Sequence, residues 1–157
     1  MRPSRFVIPA LAALLAATSA SALTATQTVE KEIVVQNPDG TESLVRQPAE
    51  MVTPGERVVY TLAYTNDQAD PVNDIVLTMP VPAEVTYVEG SAERAGTTIT
   101  VSTDNGASYT PRGAAMVVEA GTPRRAEAAD ITHIRWRVTS PVAPGATDRL
   151  AFKAVLN

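Results

Sequence analysis

Cysteine is absent from the 157 residues. Its absence excludes disulfides, thiolate metal ligands, a cysteine nucleophile and a lipid-modified cysteine after a leader. Histidine occurs once, as His133, and aromatic residues make up only 4% of the chain. A zinc centre wants three or four nitrogen, sulfur or oxygen donors, so His133 alone does not suggest one. There is no Gly-x-Ser-x-Gly elbow, and without the α/β scaffold that displays such a turn a hydrolase of that type is not expected. No apolar run reaches the ~18 residues needed to span a bilayer. Helical periodicity is nearly missing after residue 23, which argues against bundles and α/β folds alike.

The longest apolar run is Phe6–Ala17, preceded by Arg2 and Arg5 and followed by the small residues Ala20-Ser21-Ala22. A basic start, an apolar centre and a small-x-small close are the layout of a secretory signal peptide, cut before Leu23. Residues 1–22 are therefore expected to be removed on export, leaving one domain over 23–157 that works in the periplasm or at the cell surface. The whole chain carries a formal charge of −4. Removal of the two leader arginines makes it more acidic, which argues against nucleic acid or an anionic membrane as partner. No wall-sorting motif or hydrophobic tail follows the last strand-like segment, so attachment to a surface is expected to run through other proteins.

Period-two alternation dominates residues 28–156, broken at short intervals by Pro, Gly, Asn and Asp, as in a sandwich or barrel. Residues 28–36 and 41–47 flank Asn37-Pro38-Asp39-Gly40 and predict an N-terminal hairpin at about 28–47. Arg57–Asn66 is the clearest strand, with Val58, Tyr60, Leu62 and Tyr64 on the more apolar face, which is placed inward. Ile75, Leu77 and Met79 repeat the pattern. Further strands are expected at 85–89, 97–102, 115–119 and 131–138, the last with Ile134, Trp136 and Val138 inward and His133, Arg135 and Arg137 outward. Leu150, Phe152, Ala154 and Leu156 form a final inward row. Gly121–Ala129, small and polar, is expected to be a mobile loop. Two turns, Thr53-Pro54-Gly55 and Ala143-Pro144-Gly145, share the Pro-Gly pairing of a type II turn and look like one device used twice. About nine strands at this spacing predict an all-β, two-sheet β-sandwich.

Several of these segments, taken in order, resemble a known family. Pro54-Gly55-Glu56-Arg57-Val58-Val59-Tyr60-Thr61-Leu62-Ala63-Tyr64-Thr65-Asn66 is similar to the opening of the conserved repeat domains called DUF11. Asn73–Thr78, Pro82–Ser91, Thr132–Trp136 and Val142–Gly145 fit its later parts, so the likeness covers about residues 50–157. The resemblance implies an immunoglobulin-like sandwich on exported, cell-surface or envelope proteins, often in tandem, with no catalytic residues known for the family. This chain departs from the pattern by a single copy and an added N-terminal hairpin.

Four constellations bear on function. The row His133, Arg135 and Arg137 is a basic stripe on an acidic protein. Its plain reading is a solvated strand face, and its sharper one a contact for an acidic partner or polysaccharide. Asp67, Asp70 and Asp74 share one loop, where calcium is the weaker reading and ordinary turn chemistry the stronger. Ser102-Thr103-Asp104-Asn105-Gly106-Ala107-Ser108-Tyr109 resembles the Asp-box hairpin, in which Ser and Asp hold the turn and an aromatic packs beneath it. That motif recurs in sialidases away from their chemistry. Trp136, with Tyr60, Tyr64 and Tyr87, would line a sugar platform if exposed, but alternation puts Trp136 in the core. The expectation is therefore an exported, non-catalytic structural or interaction module without cofactor. It would contact envelope or surface proteins through edge strands and loops, with self-association by strand addition through Leu23–Gln36 as one form. The alternative is a carbohydrate- or small-ligand-binding module.

Overall fold

The computed structural model describes residues 23–157, and the predicted leader at 1–22 lies outside them. The fold is an all-β sandwich. In chain order the strands are β1 (Leu23–Gln36), β2 (Glu42–Pro48), β3 (Arg57–Asn66), β4 (Ile75–Pro80) and β5 (Val85–Tyr87). They continue as β6 (Thr97–Ser102), β7 (Met116–Glu119), β8 (Thr122–Arg125), β9 (His133–Val138) and β10 (Thr147–Leu156). A five-stranded sheet runs β2-β1-β3-β10-β5, a three-stranded sheet runs β4-β9-β6, and β7-β8 is a separate ribbon. Every pairing is antiparallel.

The predicted inward rows meet between the two larger sheets. Tyr60, Leu62 and Tyr64 of β3 and Leu150, Phe152 and Ala154 of β10 share one core with Ile75 and Met79 of β4 and Ile134, Trp136 and Val138 of β9. Tyr60 stacks on Phe152 at 4.9 Å between ring centroids, and Tyr87 meets Phe152 edge-on at 6.2 Å. Trp136 is 0% exposed. Its indole N–H donates to the carbonyl of Ala92 at 2.9 Å, so the one polar atom of a large apolar side chain is satisfied.

The two Pro-Gly turns are the same device, placed symmetrically. Glu56 N–H donates to Thr53 O and Ala146 N–H to Ala143 O, both at 3.0 Å. The glycines at their third positions have φ of 88° and 69°, which a side chain would strain. Gly55 N–H then donates to Leu156 O at the end of β10, and Gly145 N–H to Asn66 O at the end of β3. Each turn thus opens one strand of the central pair and closes the other. Asn66 completes the second junction from within the core. Its amide donates to Asp70 O and Val142 O, both at 2.9 Å, and its Oδ1 accepts from Gln68 N–H.

Two expectations need correction. Gly121–Ala129 is not an irregular loop. Ala120 (φ 48°) and Gly121 (φ 83°) form a two-residue turn with both φ positive, which joins β7 to β8 in a hairpin. Arg124 binds both Glu119 and Asp130, and a capping box between Glu127 and Asp130 opens the following 3₁₀ turn. The N-terminal segment is also longer than its hairpin. Residues 30–36 of β1 pair with β2 as expected, but residues 23–31 pair with β3. The segment considered for addition to a neighbour is therefore already part of its own sheet along one edge.

Candidate functional site

The outer face of the three-stranded sheet carries the row predicted from alternation. β9 is its central strand, so each member of the row stands between two cross-strand neighbours: Arg137 between Val76 and Thr98, Arg135 between Thr78 and Thr100, and His133 between Pro80 and Ser102. Successive members lie two residues apart, roughly 7 Å along the strand. Their environments differ. Arg137 is exposed and reaches Asp74 only at 3.5 Å, both side chains being well solvated. Such a pair contributes about 0–1 kcal/mol and leaves the cation available. Arg135 is half-buried. Its Nε donates to Thr78 Oγ1 at 3.2 Å, and its guanidinium carbon lies 3.3 Å from the centroid of the Tyr109 ring. The stack fixes its plane without neutralising it. His133, also half-buried, has Nδ1 3.2 Å from Thr132 Oγ1.

Tyr109 reaches this face because of the turn before it. Ser102, fully buried, accepts from Asp104 N–H and Gly106 N–H and donates to Asp104 Oδ1. Asp104 accepts in turn from the N–H and hydroxyl of Ser108. These hydroxyl bonds from Ser102 and Ser108, with the Ser108 N–H, pull the Asp104 carboxyl down from 3.8 to about 2. Gly106 has φ of 86°, and a Cβ there would come within 3.0 Å of the Tyr109 hydroxyl. The phenol therefore folds back beneath the turn, in the arrangement the Asp-box likeness implies, and its ring becomes the platform for Arg135. Val76, Thr98, Thr100, Tyr109, Arg135 and Arg137 outline a shallow depression of about 280 Å³.

Sequence reasoning named His133, Arg135 and Arg137 but overlooked Tyr109 as a surface aromatic. Tyr60, Tyr64, Tyr87 and Trp136, the four considered as a platform, are all buried. Burial raises the pKa of all three of these tyrosines. The signal for Tyr109 was available in the last position of the Asp-box-like motif.

The loop carboxylates are not brought together. Asp67 accepts from the hydroxyl of Thr24, and Asp74, at φ 52°, turns toward Arg137. Among the described residues no group of three His, Cys, Asp or Glu side chains is placed to hold a metal ion. A larger opening of about 580 Å³ lies at the side of the sandwich between β5 and β6, with Glu89, Glu93, Arg94 and Arg112 in its walls. Its charges are largely spent internally: Arg112 is bidentate on Glu89, and Arg94 binds Asp148 at 2.5 Å. No helix among the described residues is long and apolar enough to cross a membrane. Comparison of the chain with family models, curated proteins and solved structures returns no match.

Proposed function

We propose that this chain is an exported, non-catalytic interaction module of the bacterial cell envelope or surface, an immunoglobulin-like sandwich of the DUF11 kind. One observation carries the reading. Arg94, Arg112 and Arg124 are each spent on a nearby carboxylate, whereas Arg135 is oriented by an aromatic ring and a hydroxyl and has no carboxylate partner among the described residues. A cation that is held in place but not neutralised is suited to an anionic group from outside. With Arg137 beside it, the face fits an acidic segment of an envelope or surface protein. The order of segments that resemble DUF11 and the predicted leader support the location.

The test is charge reversal on the intact exported protein. Arg135→Glu with Arg137→Glu should abolish retention in the envelope fraction and leave the melting temperature within a few degrees. Retention in the parent should weaken as salt shortens the ~8 Å screening length of physiological buffer. Salt-independent retention that survives the double reversal contradicts the proposal. A second reading is favoured by Tyr109 alone: a half-exposed aromatic beside Thr98 and Thr100 is also the makings of a sugar platform. Glycan-array binding lost on Tyr109→Ala would favour that reading over the first.

A further inference from the structure

The outer face of the five-stranded sheet points away from the row on β9 and carries cations of its own. Tyr60, Leu62, Leu150 and Phe152 turn into the core, so Thr61 and Ala63 of β3 and Arg149, Ala151 and Lys153 of β10 turn outward. The register sets them in rows with β1: Arg149 beside Ala63 and Thr26, Ala151 beside Thr61 and Thr28, and Lys153 beside Val59 and Glu30. Small side chains floor the middle of this face. Thr28, Thr61, Ala63 and Ala151, with Glu30, Arg46 and Arg149 as walls, outline a trough of about 370 Å³.

Acidic residues outnumber basic ones by 17 to 13 in the chain, so an arginine without a carboxylate is the exception. Among the described residues Arg46, Arg94, Arg112, Arg124 and Arg137 each have one. Arg125 donates to Gly113 O, and Arg57 adds its charge to those that hold Glu32. That leaves Arg135 and Arg149, which stand on opposite outer faces of the sandwich. Arg149 is exposed, and its guanidinium bonds to no described residue. Arg46, in the other wall, is only loosely engaged: it reaches Glu32 at 3.5 Å, where Lys153 already binds at 2.9 Å. The floor is incomplete as well. Thr61 Oγ1 is the one buried side-chain polar atom among the described residues without a hydrogen-bond partner, and buried hydroxyls are normally satisfied.

We infer that this trough is a second seat for an acidic polypeptide segment, with a carboxylate on Arg149, so that one molecule joins two acidic chains across its thickness. An extended chain lies flat on the small residues of the floor, and the exposed guanidinium supplies a charge-assisted, bidentate bond. Glu30 sets the orientation. It stands four residues along β1 from Thr26, roughly 13 Å from the row of Arg149, and repels a carboxylate at that end. Two sheets about 10 Å apart separate the seats, so a short peptide on one face does not reach the other. The second seat stands on its own observations, whereas the joining rests also on the reading of the Arg135 face.

Short oligoglutamate counts the seats, and long polyglutamate tests the joining. In titration calorimetry at low salt the exported protein should bind two oligoglutamates. Arg149→Glu should weaken one of them about tenfold without moving the Tm, and Arg46→Gln should weaken the same one less. Arg135→Glu with Arg137→Glu should weaken the other. Long polyglutamate should draw the parent protein into networks that scatter light at intermediate ratios and dissolve again in excess polymer. Either charge-reversed protein should bind the polymer without scattering. A single oligoglutamate on the parent, lost with Arg135 and Arg137, overturns the second seat and leaves the reading of their face intact. Two seats that Arg149→Glu leaves unchanged overturn it equally. If the only seat is the one that Arg149→Glu weakens, the reading of the Arg135 face falls, and the joining with it.

Discussion

Val29 and Tyr60 stand opposite each other on neighbouring strands, on the same face of the same sheet, yet Tyr60 is buried and Val29 is 36% exposed. The contrast extends to the regions they belong to. Around Tyr60 two sheets close on each other, and β3, β10 and β9 surrender nearly all their inward side chains to the core. Around Val29 the five-stranded sheet overhangs the three-stranded one. Val35 and Val45 remain exposed on the inner face, and Val34 and Leu44, directly paired, are each 60% exposed on the outer. Strand pairing and burial are thus separable: the first needs only one neighbour in the sheet, the second a whole sheet opposite. The overhang is held by polar means instead. Glu32, with a side chain only 4% exposed, receives Lys153 of β10 across the intervening β3, with Arg46 nearby. Burial raises its pKa, but the hydrogen bond and charge of Lys153, with Arg46 and Arg57, more than offset this and leave it lowered.

The sharpest way to break the comparison is at its centre. Trp136→Ala should cost about 3–5 kcal/mol, enough to threaten folding, as read by denaturant unfolding. Asn66→Ala strands Asp70 O and Gln68 N–H, leaves Val142 O with only its bond from Val72 N–H, and should cost about 2–4 kcal/mol in the same measurement. Glu32→Gln weakens the tie between overhang and centre. Because Lys153 and Arg46 are partly solvated, the expected loss is only about 1–2 kcal/mol, visible as a small drop in Tm. The Asp104 turn adds a pH dependence. Its folded pKa lies below the ordinary value, so its contribution is complete above about pH 4 and fades as pH falls through 2. Asp104→Asn should flatten the Tm profile over that window. Least affected should be Val34→Thr with Leu44→Thr, within about 0.5 kcal/mol of the parent, because those side chains leave water only slightly on folding.

The contrast also explains what could be read from the residues alone. Alternation in β3, β9 and β10 placed their inward rows correctly, since both sheets are present there and period two translates directly into burial. The same alternation in β1 and β2 could not reveal the overhang, because it reports which face is apolar and not whether anything covers it. β8 was missed for a different reason. Its turn is Ala120-Gly121, without the asparagine or aspartate that advertises a type I′ hairpin, and Pro123-Arg124-Arg125 has little strand character until Arg124 meets Glu119 and Asp130. On the basic face, His133, Arg135 and Arg137 were legible because they lie on one strand. Tyr109 was not, because it comes from beyond a turn, and only the hydroxyl network of Ser102, Asp104 and Ser108 directs its ring there.

The central claim is that β1 is paired on one edge and open on the other. Residue-resolved hydrogen exchange on dilute protein tests it most directly. Amides of Thr24, Thr26 and Thr28, bonded to β3, should exchange slowly, and those of Ala25 and Gln27 should exchange near the free-chain rate. Equal protection of odd and even residues in dilute solution would contradict it.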